Sequence, residues 1–410
     1  MVAAAFVAPY LLEATTRFVR SAATLPGVRL GVVTQEPAEH LPPELRECLA
    51  GHWRVDDALD PGQVAEGVRG LRSQLGGMDR VVGALEQLQV PLAQVREWEG
   101  VEGMDVATAM NVRDKARMKT VLRAAGIPCA RHQLVTRDAE ANAFAEQVGF
   151  PLVAKPPAGA GAVATYRLDD ADQLRGWLAQ LPPATDGEPA LLEEWLSGHE
   201  HTLDTVSQGG ESVWASISDY RPPPLEVLRT PWIQWTVLLP RSLDAPSYAD
   251  IQTIGPAALK ALGVRDALTH MEWFRRPDGS VAVSEVAARP PGAQISSMIA
   301  YSYDIDFHAA WAALMLLDRF EPPERRYASG TAYLRGQGHG RVRAVHGIEQ
   351  VQREVGSLVV EARLPQPGQP AAAGYEGEGY VIVRHPDTEV VEDALARIVS
   401  GVRVELAESS

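Results

Sequence analysis

The stretch HMEWFRRPDGSVAVSEVAAR, residues 270–289, carries two glutamates, Glu272 and Glu285, on either side of the turn-forming pair Asp278-Gly279. Alternating apolar residues around an Asp-Gly pair are the pattern of a β-hairpin. If Asp278-Gly279 is a two-residue loop, Pro277 faces Ser280. Counting outward then sets Glu272 opposite Glu285 and His270 opposite Ala287. Directly opposed residues share a face of the ladder, with Cβ atoms about 4.5–5.5 Å apart. Two carboxylates that close repel unless a cation lies between them. Mg²⁺ or Mn²⁺ suits the place, because magnesium is commonly held by one or two carboxylates together with substrate phosphates. The plainer alternative is an exposed hairpin whose glutamates point to water, and a longer or off-centre loop would break the direct opposition. Arg289 shares the face if the strand continues, which favours a phosphate with its metal over a solvated surface.

The totals bound what such a site can serve. A chain of 410 residues is too long for one core, so two or three domains are expected. With 38 Lys+Arg against 53 Asp+Glu, a formal charge of -15 and no basic run, binding to nucleic acid or an anionic membrane is disfavoured. Two cysteines, Cys48 and Cys129, give no disulfide framework and suit a reducing compartment. The N-terminus lacks the basic region and cleavage site of a signal peptide, and no apolar run approaches the roughly 18 residues of a membrane span. The expectation is a soluble cytoplasmic protein.

Along the chain, AAAFVA, a helical pattern over 10–25 and VRLGVVT (28–34) read as strand, helix, strand. MDRVVGAL (78–85) fits another buried strand, followed by a helix in EQLQVPLAQVREWEG. This is a small parallel α/β domain to about residue 110. Its first turn is APY rather than GxGxxG, so it is assigned no dinucleotide. Next come an amphipathic helix over 114–125 that stops at Gly126, a helix over 139–148, and strand signals at RHQLVT, PLVAKP, ATYRL and PALLEEWL, an α+β alternation. Proline-rich loops fall at 181–189, 221–224 and 321–326, the last a candidate boundary before a β-rich tail.

Two further constellations carry chemistry. In FPLVAKPPAGAGAVATY, Lys155 ends a buried-type strand ahead of a loop with Gly159 and Gly161; lysine and loop N–H groups can both touch phosphate, although a plain hairpin turn explains them as well. In ALLEEWLSGHE, residues Glu193, Glu194, Trp195 and Leu196 sit at a strand exit with Glu200 beyond. An extended edge with apolar faces suits an adenine and a carboxylate suits ribose hydroxyls, against the alternative of an acidic loop. His270 reads as a substrate or neighbouring contact, or as a packed strand histidine. His199, His201 and Asp204 read as structural. Trp273, Phe274 and the helix around Trp311 read as core.

Taken together and in order, RDKARMKTVLRAAGIPCARHQLV (113–135), GFPLVAKPPAGAGA (149–162), LLEEWLSGHEHTLDTV (191–206) and HMEWF with SEVAARPPG (270–292) resemble the ATP-grasp superfamily. The resemblance is to its carboxylate-amine ligases, with flanks arranged as in biotin carboxylase and the L-amino acid ligases. It implies an N-terminal parallel α/β domain (1–110), a central ATP-grasp domain (111–326) in two subdomains (111–195 and 196–326), and a small C-terminal β-rich domain (327–410). It further implies that Lys115 and Lys155 contact ATP phosphates and that Gly159 and Gly161 belong to a loop closing over them. Glu193, Glu194, Trp195 and Leu196 would lie at the adenine, two of them through backbone atoms, with Glu200 on the ribose. Glu272 and Glu285 would ligate Mg²⁺ (or Mn²⁺), and Arg289 would stabilise the transferring phosphoryl group. The family's usual Asn after the second glutamate is here Ala287, and its usual Ser after the second loop glycine is Ala162.

The implied activity is an ATP-dependent joining of a small carboxylate to an amine, amino acids foremost, through an acyl phosphate. A bicarbonate-activating carboxylase, another phosphotransferase and a nucleotide-binding subunit without catalysis are the alternatives, Ala287 supporting the last. A homodimer through either flanking domain fits the resemblance. The segment 221–235, RPPPLEVLRTPWIQW, reads either as a wall of the substrate pocket or as a packing loop.

Overall fold

The computed structural model describes residues 1–158, 164–180, 189–230 and 233–407. The run AAAFVA lies in a strand, Val2–Val7, of a four-stranded parallel sheet ordered Gly51–Arg54, Val28–Thr34, Val2–Val7, Arg80–Val82. Ala3 to Ala8 are almost wholly inaccessible, as a parallel strand covered on both faces must be. Helices Glu13–Ala23, Pro61–Leu75 and Gln89–Glu99 pack around this sheet. Ligands of such sheets collect at the carboxyl ends of the strands. Here the turn after Arg80–Val82 brings Ala84, Leu85 and Glu86 to the rim of a large cleft.

Two antiparallel sheets form the rest of the cleft. The smaller is ordered His132–Val135, Ala190–Glu194, Leu152–Lys155, Tyr166–Leu168. The larger has eight strands, ordered Val281–Ala287, Ala267–Arg275, His199–Gln208, Glu211–Arg221, Trp235–Leu239, Ala328–Leu334, Gly379–His385, Val359–Arg363. The chain after 326 therefore does not start its main sheet afresh: Ala328–Leu334 pairs directly with Trp235–Leu239. A three-stranded sheet of Gly336–Gln337, Arg403–Ala407 and Arg341–His346 lies beyond it.

The helix Phe307–Leu317 is apolar nearly all round, the mark of an element buried on every side. Its Trp311 meets Phe6 at 5.9 Å and Phe18 at 5.0 Å, and the same core continues to Trp214, Trp235 and Tyr333 of the large sheet. This packing fixes the N-terminal loops against the cleft. No helix among the described residues is long and apolar enough to cross a membrane.

Candidate active site

The hairpin carries the glutamates as counted, by a different route. Glu272 pairs with Glu285 and His270 with Ala287. The loop, however, is not the two-residue Asp278-Gly279 turn: Arg276 N–H donates to the Ser280 carbonyl (2.9 Å), and Gly279 N–H to the Arg276 carbonyl (2.9 Å). Pro277, Asp278 and Gly279 thus make a three-residue loop, with Gly279 at φ 83° as its left-handed last residue. Trp273 then pairs with Val283, one residue out of step, and a bulge at Ser284 restores the register at Glu285. The two departures cancel. The bulge also frees the Ser284 carbonyl to accept from Lys119 Nζ at 2.6 Å.

Around the pair, cations come from two elements. The helix Lys115–Ala124 starts at Asp114, whose carboxylate accepts from the N–H groups of Ala116 and Arg117, both at 2.9 Å. Lys115 and Lys119, four apart, share one helix face and reach inward. Lys115 Nζ lies 2.8 Å from Glu285, and Lys119 Nζ lies 2.8 Å from Glu193. Lys155, at the end of its strand, reaches Glu193 from the other side at 2.9 Å. Burial alone would push the Glu193 carboxyl up; Lys119 and Lys155 outweigh it and hold the group down to about 2. Glu285 is also lowered, its burial overcome by Lys115 and Lys155. Glu272 goes the other way, pushed up first by burial and then by the charge of Glu285. Glu200, buried in its strand, is raised well above the ordinary value by burial and by Glu272.

This end of the cleft therefore has lysines enough for Glu193 and Glu285, and too little positive charge for Glu272 and Glu200. A divalent cation between Glu272 and Glu285 would correct that. Among the described residues no three His, Cys, Asp or Glu side chains form a metal-binding group. The donor set is thus two carboxylates, which fits a magnesium that completes its shell with phosphate oxygens and water.

Arg289 lies past the end of the strand at Ala287, so its place comes from the following loop rather than from the ladder. Its Nε and Nη2 donate to Glu86 at 3.1 and 3.0 Å, and Nη1 to the Pro290 carbonyl at 3.0 Å. Arg113 Nη1 holds the other oxygen of Glu86 at 3.0 Å. Glu86, 4% exposed, belongs to the N-terminal sheet's cleft loop and was not marked by any motif. Its one sequence signal is position, just after a buried parallel strand.

At the other end, Glu194 accepts from the Arg131 N–H (3.1 Å) and Nε (2.6 Å) and from Arg276 Nη2 (3.2 Å), so its side chain ties the small sheet to the hairpin. The Trp195 N–H donates to the Pro151 carbonyl (3.2 Å), which removes it as a free edge donor, and its ring carries Arg167 at 4.5 Å. Leu196 is buried against Ala130 and Ala282. Glu193 to Leu196 and Glu200 all line the cleft with Lys115, Lys155, Glu272, Glu285 and Arg289, in a cavity of about 1730 Å³. Gly159 and Gly161 lie outside the described residues. Gly198, at φ +132°, abuts the hairpin: an added Cβ would stand 2.1 Å from the Arg275 carbonyl oxygen. Gly198→Ala should cost about 1–3 kcal/mol of stability and raise the KM for nucleotide; thermal unfolding and ATP titration check both, and unchanged values would show that the contact is slack.

His270 is neither free nor simply packed. Its Nδ1 pairs with the fully buried Asp204 at 2.8 Å and its Nε2 faces Glu272 at 3.9 Å. Asp204 thus orients an imidazole that lines the cleft. His201 stacks on Trp273 (4.4 Å between centroids, 22° between planes) and pairs with Asp219 at 2.6 Å. Tyr220, Pro222 and Trp235 line the cleft, so the segment 221–235 contributes wall; residues 231–232 within it lie outside the described ones.

No protein-family model matches the chain. It is 28% identical over 292 residues to an L-arginine-specific L-amino acid ligase of Bacillus subtilis, covering 68% of both chains. An L-amino acid ligase from Bacillus licheniformis superposes with a TM-score of 0.79 over 100% of this chain and 99% of that one, at 18% identity. An N5-carboxyaminoimidazole ribonucleotide synthetase from Thermotoga maritima follows with a TM-score of 0.72, 99% and 100% coverage and 16% identity. The fold is the one these ligases and synthetases share. These relatives in sequence and neighbours in fold are ATP-grasp carboxylate-amine ligases, the group that the chain's motifs resemble.

Proposed function

We propose that the protein is an ATP-dependent carboxylate-amine ligase that joins two amino acids through an acyl phosphate and releases ADP and phosphate. The observation that carries this reading is the opposed pair Glu272 and Glu285, set between Lys115, Lys155 and Arg289 at one end of a cleft whose other end is the 193–200 segment. The likeness to an amino acid ligase of Bacillus subtilis supports it. In the first step a substrate carboxylate oxygen attacks the γ-phosphorus of ATP and the bond to the β-phosphate bridging oxygen breaks, giving acyl phosphate and ADP. In the second, the amine of the other substrate attacks the acyl carbon, phosphate leaves and the amine gives up its proton.

Catalysis of such a transfer is mostly positioning and charge compensation. Mg²⁺ held by Glu272 and Glu285 would neutralise phosphate charge. Lys115 and Lys155 are assigned to the triphosphate, exchanging their carboxylate partners for phosphate oxygens. Arg289, anchored on one side by Glu86, is assigned to the acyl phosphate. Glu193 to Leu196 are assigned to the adenine and Glu200 to the ribose. The protein incubated with ATP, Mg²⁺ and amino-acid pools should release ADP and phosphate. Release of AMP and pyrophosphate would overturn the acyl-phosphate route, and absence of turnover with every pool would favour a nucleotide-binding subunit.

A further inference from the structure

The part of the cleft wall that comes from farthest along the chain is Tyr375. It stands in the loop between the strands Val359–Arg363 and Gly379–His385, in a segment no motif marks. That segment is pinned: the buried Glu378 accepts from the N–H groups of Gly336 and Ala372 (2.8 Å for the latter), and its carbonyl accepts from Gln369 Nε2 at 2.9 Å. Tyr375 is therefore a fixed projection. It meets Trp235 edge-on at 4.9 Å; Trp235 in turn stacks on Tyr333 (4.4 Å, 23°) and lies 5.6 Å from Tyr220. The Trp235 indole N–H donates to the Pro222 carbonyl at 3.0 Å, which fixes its ring. Trp235 and Tyr220 are themselves 1% and 8% exposed, so they form a rigid apolar backing that holds Tyr375 as the aromatic face at the cleft.

The wall lies at the reacting end. Burial and then Glu376 push the Tyr375 phenol up to about 12, and Arg289, Glu272 and Glu86 act on it as well. The guanidiniums of Arg113 and Arg289 are both held by Glu86.

Given the ligase reading above, we propose that the carboxylate-donating substrate is an amino acid with a large apolar or aromatic side chain, laid on Tyr375 with Trp235 and Tyr220 backing it, and that Tyr375 sets this preference. The test offers the full-length protein pairs of amino acids with ATP and Mg²⁺, reads phosphate release, and identifies the N-terminal residue of each dipeptide by tandem mass spectrometry. Phe, Trp, Leu and Met are expected as N-terminal residues over Gly, Ala, Glu and Arg. Tyr375→Ala should lower the kcat/KM ratio of Phe to Ala donors about tenfold or more, and Tyr375→Phe should keep it. A small or charged preferred donor, or an unchanged ratio in Tyr375→Ala, would overturn the proposal.

Binding is read separately, by thermal stabilisation with each amino acid in the presence of ADP and Mg²⁺. Stabilisation by Phe and Leu that Tyr375→Ala loses supports the wall even if no pair turns over, in which case it is the ligase reading that falls. Equal stabilisation of both proteins refutes the wall whatever the turnover.

Discussion

Glu272→Gln is expected to lower metal- and ATP-dependent phosphate release by a factor of roughly 10²–10³ or more, while the metal-free protein unfolds no earlier than wild type. The two outcomes have one cause. Glu272 is half-buried, faces Glu285 across the ladder, and its ion-pair contact among the described residues is the His270 imidazole at 3.9 Å, so its carboxylate, raised by burial and by Glu285, destabilises the metal-free fold. A neutral amide of the same shape removes that repulsion and, with it, one of the two oxygens offered to the metal. A structural glutamate would show the reverse, with stability falling and activity following it. Phosphate release against Mg²⁺ concentration, set beside thermal unfolding in chelator, separates the cases. Full activity at ordinary Mg²⁺ would remove Glu272 from the metal site, and a marked drop in stability would remove the argument from repulsion.

That pair was legible in the sequence because a hairpin's register is local. Even so, the count succeeded through compensation: a loop one residue longer than expected and a bulge at Ser284 shift the register in opposite senses. An Asp-Gly pair marks a turn but does not fix its length, since the same residues close two- and three-residue loops. Lys115, Lys155 and Glu193 were visible as motif residues, but not that Glu193 would lie between two lysines. One of these, Lys119, is a helix position that reads as ordinary amphipathic surface until its neighbour Lys115 is placed. Glu86 and Tyr375 were invisible for a further reason. Each meets Arg289, or its surroundings, across a long sequence separation, and such contacts are decided by how the sheets pack on Trp311 and Trp235 rather than by any local pattern. The helix Pro61–Leu75 does carry its signal, an Asp60 cap, Pro61 and apolar Val64, Val68, Leu71 and Leu75 at helical spacing, whereas the four-residue strand Gly51–Arg54 has no pattern of its own and is organised by its partner Val28–Thr34.

Glu193→Gln is expected to cost about 3–5 kcal/mol of stability near pH 7, because it leaves Lys119 and Lys155 buried without their shared carboxylate. Lys119 is fully inaccessible, and burial already lowers its ammonium pKa against the pull of Glu193. Without the carboxylate that lowering deepens. A lysine whose folded pKa lies below its unfolded value binds fewer protons folded than unfolded, so stability rises with pH between the two. The variant should therefore recover part of its loss as pH is raised from 7 toward 10, a slope opposite to that of ordinary alkaline unfolding. Wild type carries the complementary dependence at the acid end. The Glu193 carboxyl, held at about 2 in the fold, contributes stability that is complete above the unfolded carboxylate range and is lost as pH falls toward 2. Denaturant unfolding of both proteins across pH 3–10 reads the two slopes. A variant that unfolds in parallel with wild type over that range would show that water, not Glu193, solvates the lysines. A variant that loses stability at low pH but gains none at high pH would place the cost in lost packing rather than in unmatched charge.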